Sequence, residues 1–428
     1  MTRFSDLNDD ILHEIIGWLQ LMKERDPSAA ISLPQLARVC LRIGALVPRH
    51  LVKAMNIQIT ASDVPKLRLL MRSLKETPGL RALVRKIQIT LGFEPLASFW
   101  ANELLQQLPN LVYLEIQRAL SNIEDLRELF AFSPNFFQIN KLEKLRRVNF
   151  QRETVSFATI FDCMSLPNVE LIDFSIRTGE TFEDSKRASD LTSISQSCRV
   201  KTLNLNDSRT SLDLFQALLR RCPYLQHLTG SMPRPFRSTG PGIILFSAAQ
   251  LQHALAPTRD TLVSLDLLNL QSHTSHPTPF CDGTKLDLKM FSSLESITLP
   301  VHCFFNRPVP HDSRNGTYAQ FPWSMTKLNL YFAQKTNPYS GKPMNILHSN
   351  DQERAKLRSG NAAFEPWTYA WIMEFAYHKA THFPKLHSLT VEEELTGPDM
   401  SLVRWSNEDA MKVWTSVGAI CNVLFREP

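Results

Sequence analysis

The side chains that could do chemistry in this 428-residue chain are few and scattered. His378 and His382 lie four apart in HKATH, the spacing with which one helix face can offer two imidazoles to zinc. The residue after the first histidine is Lys379, not the glutamate that a zinc hydrolase of this pattern uses as general base. His273 and His276 fall in a stretch rich in Pro, Ser and Thr, with no Cys or carboxylate set around them to complete a metal site. Glu392-Glu393-Glu394 reads as a solvated strand end. No P-loop, dinucleotide-binding glycine pattern or nucleophile elbow occurs, and 14 Gly against 26 Pro leave little material for phosphate loops. The expectation is a non-enzyme with no catalytic residue, metal or cofactor.

The seven cysteines (Cys40, Cys163, Cys198, Cys222, Cys281, Cys303 and Cys421) form no C-x-x-C and sit mostly in apolar settings. They read as buried thiols of a reducing compartment rather than a disulfide framework. The N-terminus has no apolar signal core, and no window approaches 18 consecutive apolar residues. Cytoplasm or nucleus, without a membrane partner, is the expected setting. A formal charge of +5, from 47 basic and 42 acidic residues, is spread along the chain, so no nucleic-acid partner is expected either.

What the sequence does contain is a repeated phrase, L-x-x-L-x-L in apolar terms, whose last positions alternate as a strand would. It begins at Val84, Leu111, Leu145, Val169, Val200, Leu262, Leu294, Met325 and Leu386, with a partial copy, LQHL, at Leu225. Ahead of several copies runs a helical stripe ended by proline. LDLFQALLRRCPYLQHL places Leu212, Phe215, Leu218, Leu219 and Cys222 on one face before Pro223, and Pro109 and Pro167 repeat the arrangement. Each unit is helix, proline, short strand, and one unit alone cannot bury both its apolar faces. The expected class is α/β, with parallel inner strands and outer helices. These phrases resemble the leucine-rich-repeat family, as an irregular solenoid over 51–395 interrupted at about 231–242, 269–285 and 333–366.

Side chains alternate across a strand, so the residues between the phrase leucines should face the open, concave side. These are Tyr113, Glu115, Gln117, Arg147, Asn149, Gln151, Asp173, Thr202, Asn204, Asn206, Ser264, Asp266, Lys327, Asn329 and Tyr331. They are mostly neutral or acidic and form the candidate partner-binding surface. A C-terminal segment, 396–428, reads as a capping helix with Ala410, Val413, Trp414, Val417, Ile420, Cys421 and Leu424 in one stripe.

The N-terminus supplies a second apolar face. Asn8 reads as the N-cap of an expected helix whose first turn would hold Asp9 and Asp10, with Ile11, Leu12, Ile15, Ile16 and Leu19 on one side. After a charged linker, Ser32 and Gln35 match a capping box, followed by Leu36, Val39, Cys40, Ile43 and Val47. LNDDILHEIIGWL and VCLRI resemble the F-box, the small all-α motif that docks the Skp-type adaptor of cullin–RING ubiquitin ligases. Asn8 stands where that family has proline, and Ile43 where it has an aromatic residue. RHLVKAMNIQIT resembles the exit from an F-box into a first strand. With the repeats behind it, the segment 1–50 is similar to the start of fungal-type F-box/leucine-rich-repeat proteins. That resemblance implies a substrate receptor, with Leu7, Ile11, Leu12, Ile15, Ile16, Leu36, Val39, Cys40 and Leu46 against the adaptor and a client protein on the concave face. The alternative is an interaction scaffold outside the ubiquitin system whose N-terminal helices only cap the repeats.

Overall fold

The structure, a computed structural model, describes residues 53–92, 97–118, 137, 142–151, 157–175, 198–205, 210–233, 245–268, 280–281, 284–305, 314–332, 369–393, 402–404 and 408–426. The chain divides into two compact units, Met1–Val155 with Thr159–Glu170, and Ser156–Ala158 with Leu171–Pro428. Both are α/β.

In the first unit β1 (Ala54–Ile59) is followed by α1 (Val64–Glu76), α2 (Pro78–Leu83), β2 (Lys86–Leu91), α3 (Ala97–Leu105), β3 (Tyr113–Arg118), β4 (Arg147–Gln151) and most of α4 (Phe157–Met164). Its strands lie in chain order β1-β2-β3-β4, all parallel. The register aligns Ile87 with Leu114 and Val148, and Ile89 with Ile116 and Phe150, so equivalent phrase positions stack into apolar rows. Every one of these side chains is fully buried.

The second unit holds β5 (Leu171–Ser175), β6 (Thr202–Leu205), α5 (Leu212–Arg221), β7 (His227–Ser231), β8 (Leu245–Phe246), α6 (Ala248–Leu255), β9 (Ser264–Leu268), β10 (Phe280–Cys281) and β11 (Ser296–Pro300). It continues with β12 (Lys327–Phe332), α7 (Ala370–Tyr377), α8 (Lys379–His382), β13 (Ser388–Glu393), β14 (Leu402–Arg404), α9 (Glu408–Ser416) and β15 (Ile420–Arg426). Its sheet runs β5-β6-β7-β9-β11-β12-β13-β15-β14, parallel throughout except for antiparallel β14, while β8 and β10 pair apart from it. One apolar row passes through Ile172, Leu203, Leu228, Leu265, Ile297, Leu328, Leu389 and Cys421. A second is broken at β7, where Gly230 stands opposite Leu205 and Leu267. A Cβ at Gly230 would meet the Leu205 Cβ at 3.0 Å, which explains why the LQHL copy ends in LTG.

Each copy of the phrase named from the sequence, including the partial one, forms a strand, and MNIQI adds β1 ahead of them. The helix before β7 is capped by the Ser211 hydroxyl, which accepts from Leu214 N, and buries Leu214, Phe215, Leu218 and Leu219. The aromatic helix lies at α7, where Trp371 packs on Phe305 (4.9 Å between centroids) and Phe375 on Phe321 (5.5 Å) and Phe383 (5.6 Å).

The C-terminal reading needs correction. The capping helix expected over 396–428 stops at Ser416, and Ile420, Cys421 and Leu424 belong to β15 instead. Gly418 adopts φ +68°, and Ala419 N donates back to Trp414 O at 3.1 Å, a left-handed helix stop. Beyond it the chain pairs in parallel with β13, adding one more copy of the repeat strand, and β14 covers its far edge. The array therefore runs past residue 395. Of the expected interruptions, 333–366 lies outside the described residues, as do most of 231–242 and 269–285. The N-terminal segment 1–50, with all nine adaptor-facing residues, also lies outside them. Among the described residues no helix is long and apolar enough to cross a membrane.

Candidate functional site

Parallel pairing converts the alternation within each strand into rows across the sheet. The apolar rows face the helices; the residues between them form rows on the opposite, open side. In the first unit the central row is Asn56, Gln88, Glu115 and Asn149. In the second it is Asp173, Asn204, Thr229, Asp266, Thr298, Asn329, Thr390 and Asn422. The central position of each of these twelve strands is thus an amide, a carboxylate or threonine, and none is a cation or an apolar residue.

These positions are mostly half-buried rather than fully solvated, because each side chain is shielded by its row neighbours. Glu115 is buried and accepts from the Tyr113 hydroxyl at 2.7 Å. Gln117 Nε2 donates to Thr90 Oγ1 at 2.7 Å, and Asn329 Nδ2 to Thr298 Oγ1 at 3.2 Å, both from one strand to the next. Asn149 Oδ1 and Asp266 Oδ1 are buried and accept no hydrogen bond among the described groups. Burial raises the Asp266 carboxyl above the ordinary aspartate range, opposed by the charge of Lys327. Burial raises Glu392 likewise, where it stands opposite Tyr331.

One row over, the first unit aligns Lys86, Tyr113 and Arg147, with the Lys86 ammonium 4.8 Å from the Tyr113 ring centroid. The matching row of the second unit is Leu171, Thr202, His227, Ser264, Ser296, Lys327, Ser388 and Ile420, polar except at its two ends. The sequence reading thus placed Tyr113, Glu115, Gln117, Arg147, Asn149, Asp173, Asn204, Asp266, Lys327, Asn329 and Tyr331 on one side of their strands. The structure brings them into rows within each unit. Asn206 lies outside the described residues.

Missed from the row were Asn56, Gln88, Thr229, Thr298, Thr390 and Asn422. Gln88 and the three threonines occupy the same phrase position, as in IQI, LTG, ITL and LTV, while Asn56 and Asn422 lie in strands outside the named copies. Missed too was a second use of the proline turn. Asn110 and Asn168 follow Pro109 and Pro167, and their side-chain amides donate to Ala82 O (2.9 Å) and Glu143 O (2.6 Å) of the preceding copy. In the second unit Thr261, Ser293 and Ser324 do the same through hydroxyls, to Pro223 O, Asp260 O and Leu294 O. The repeated LPN was the available signal.

Away from these rows, His378 stacks on Tyr318 at 3.9 Å, and His382 meets the same ring edge-on at 5.1 Å while its Nδ1 lies 2.8 Å from Thr381 Oγ1. The histidines of HKATH are therefore tied to a tyrosine and a threonine. Among the described residues no group of three or more His, Cys, Asp or Glu could hold a metal ion. Buried His302 is held neutral by desolvation, its pKa lowered to about 4. No model of a known protein family matches the sequence, and no curated protein does.

Proposed function

We propose that this chain is a non-enzymatic substrate receptor of a Skp–cullin–F-box ubiquitin ligase. The observation that carries the client-binding half is the polar central row of each unit, whose acceptors include Asn149 Oδ1 in the first and Asp266 Oδ1 in the second, with no partner among the described groups. Such a surface suits an extended protein segment that offers backbone N–H groups and lysine or arginine side chains, since buried acceptors are satisfied only by donors. The adaptor-binding half rests on the F-box resemblance of 1–50, with Leu7, Ile11, Leu12, Ile15, Ile16, Leu36, Val39, Cys40 and Leu46 against the Skp-type adaptor. Each Leu or Ile so buried contributes roughly 1.5–3 kcal/mol before association costs. Ubiquitin transfer then belongs to other subunits, and the receptor contributes proximity. Cytoplasm or nucleus is the matching location.

Co-purification of the full chain with a Skp-type adaptor tests this reading. The wild type is expected to form a stoichiometric complex that Ile15→Asp abolishes while circular dichroism stays unchanged. An unchanged folded chain that never binds the adaptor contradicts it and favours the scaffold outside the ubiquitin system.

A further inference from the structure

Two cysteines that the proposed receptor role does not use lie together in the second unit. Cys198 precedes β6, and Cys222 ends α5. Cys198 N donates to Arg221 O at 2.9 Å, which fixes the two backbones side by side, and the sulfurs are 3.3 Å apart. Both are free thiols. A disulfide needs neighbouring backbones and sulfurs already aimed at each other, and this pair has both.

The two thiols are not equivalent. Cys198 is 5% exposed and Cys222 fully buried. The hydrogen bond between the two sulfurs lowers the Cys198 pKa and raises that of Cys222, so the thiolate forms on Cys198 with Cys222 as its S–H partner. Arg221, itself buried, adds a positive charge that favours thiolate on Cys198. The more reachable sulfur is thus also the better nucleophile.

We infer that Cys198 and Cys222 are a peroxide-sensitive thiol pair that closes to a disulfide within the native fold. The Cys198 thiolate attacks one oxygen of hydrogen peroxide, the O–O bond breaks, and hydroxide leaves, giving a sulfenic acid. Cys222 then loses its proton and attacks the Cys198 sulfur, forming the S–S bond and expelling the sulfenic oxygen as water. In total two thiols and one peroxide become one disulfide and two waters; both sulfurs are oxidised and the peroxide oxygens reduced. Only Cys198 needs to meet the oxidant, so the buried position of Cys222 is no obstacle. The bond ties the approach to β6, which carries Asn204, to the end of α5, the helix before β7 and Thr229.

The test is peptide mapping of the full-length protein treated with hydrogen peroxide, blocked with iodoacetamide and digested with trypsin without reduction. The peptide ending at Arg199 is expected joined to the one beginning at Cys222, and reduction separates them. The oxidised protein is expected to keep or raise its thermal midpoint. Recovery of both cysteines as alkylated thiols, or of Cys198 as sulfinic acid with Cys222 still free, overturns the inference. So does a drop of several degrees in the oxidised protein's midpoint. Cys222→Ala adds a second check: it should lose the linked peptide and leave Cys198 open to a sulfenic-acid probe, whereas an undiminished cross-link of Cys198 to another cysteine contradicts the pairing.

Discussion

Leu328 and Asn329 are neighbours in β12, yet they answer to different constraints. Leu328 lies in a row of apolar side chains with no exposure, packed between sheet and helices, where every methylene has a fixed neighbour. Asn329 lies half-buried on the other side, bonded to Thr298 at 3.2 Å and otherwise facing outward. The apolar rows set the spacing of the strands and tolerate little change. The polar rows ride on that frame, and in the proposed receptor their identities answer to the client rather than to the fold. A change on the first side should break the fold; a change on the second should leave the fold and alter recognition.

The largest expected effect is in the apolar rows. Leu328→Ala should cost about 2–5 kcal/mol in chemical denaturation, against about 1 kcal/mol or less for Asn329→Ala, whose loss is one half-buried hydrogen bond. Equal costs would break the comparison. Next comes Gly230→Ala, which drives a methyl to 3.0 Å from the Leu205 Cβ and should cost about 1–3 kcal/mol by overpacking, although alanine is ordinarily the better strand residue. Ser324→Ala removes the hydroxyl that donates to Leu294 O at 2.8 Å and should cost about 1 kcal/mol.

The smallest effect has the opposite sign. Burial raises the Asp266 pKa above its unfolded value, so its contribution to stability is full below the unfolded pKa and is lost as pH rises through the folded one. At neutral pH the ionised carboxylate is therefore unfavourable in the fold. Asp266→Asn should raise the thermal midpoint at pH 7, and the gain should shrink as the pH falls through the acidic range where native Asp266 takes up its proton. A gain that grows toward low pH would show that the Lys327 attraction, not burial, dominates there.

How much of this could be read in advance divides along the same line. The apolar phrase announces itself because each copy must fill the same slot, and every copy became a strand. The end of the array misled for a physical reason. Trp414, Val417, Cys421 and Leu424 fit a helical stripe, but Ile420 to Leu424 also alternate, and only the left-handed turn at Gly418 and the open edge of β13 decide between them. Within the named phrases the polar row was legible at Asn149, Asp173, Asn204, Asp266 and Asn329 and overlooked at Thr229, Thr298 and Thr390, since threonine in a strand reads as filler until the register shows it opposite Asp266 or Asn329. Asn56 and Asn422 escaped because their strands carry no named copy of the phrase. The Cys198–Cys222 pair was out of reach, because residues 24 positions apart meet only through the stacking of successive copies.

The proposed division of labour between an adaptor-binding N-terminus and a client-binding polar row is best tested by quantitative affinity capture of three full-length proteins: wild type, Ile15→Asp, and the triple variant Asn204→Arg, Asp266→Arg and Asn329→Arg. The triple variant should keep the Skp-type adaptor at wild-type stoichiometry and lose the clients, and Ile15→Asp should lose the adaptor and keep the clients. The same clients retained at the same level on the triple variant would contradict the assignment of the open polar row as the recognition surface.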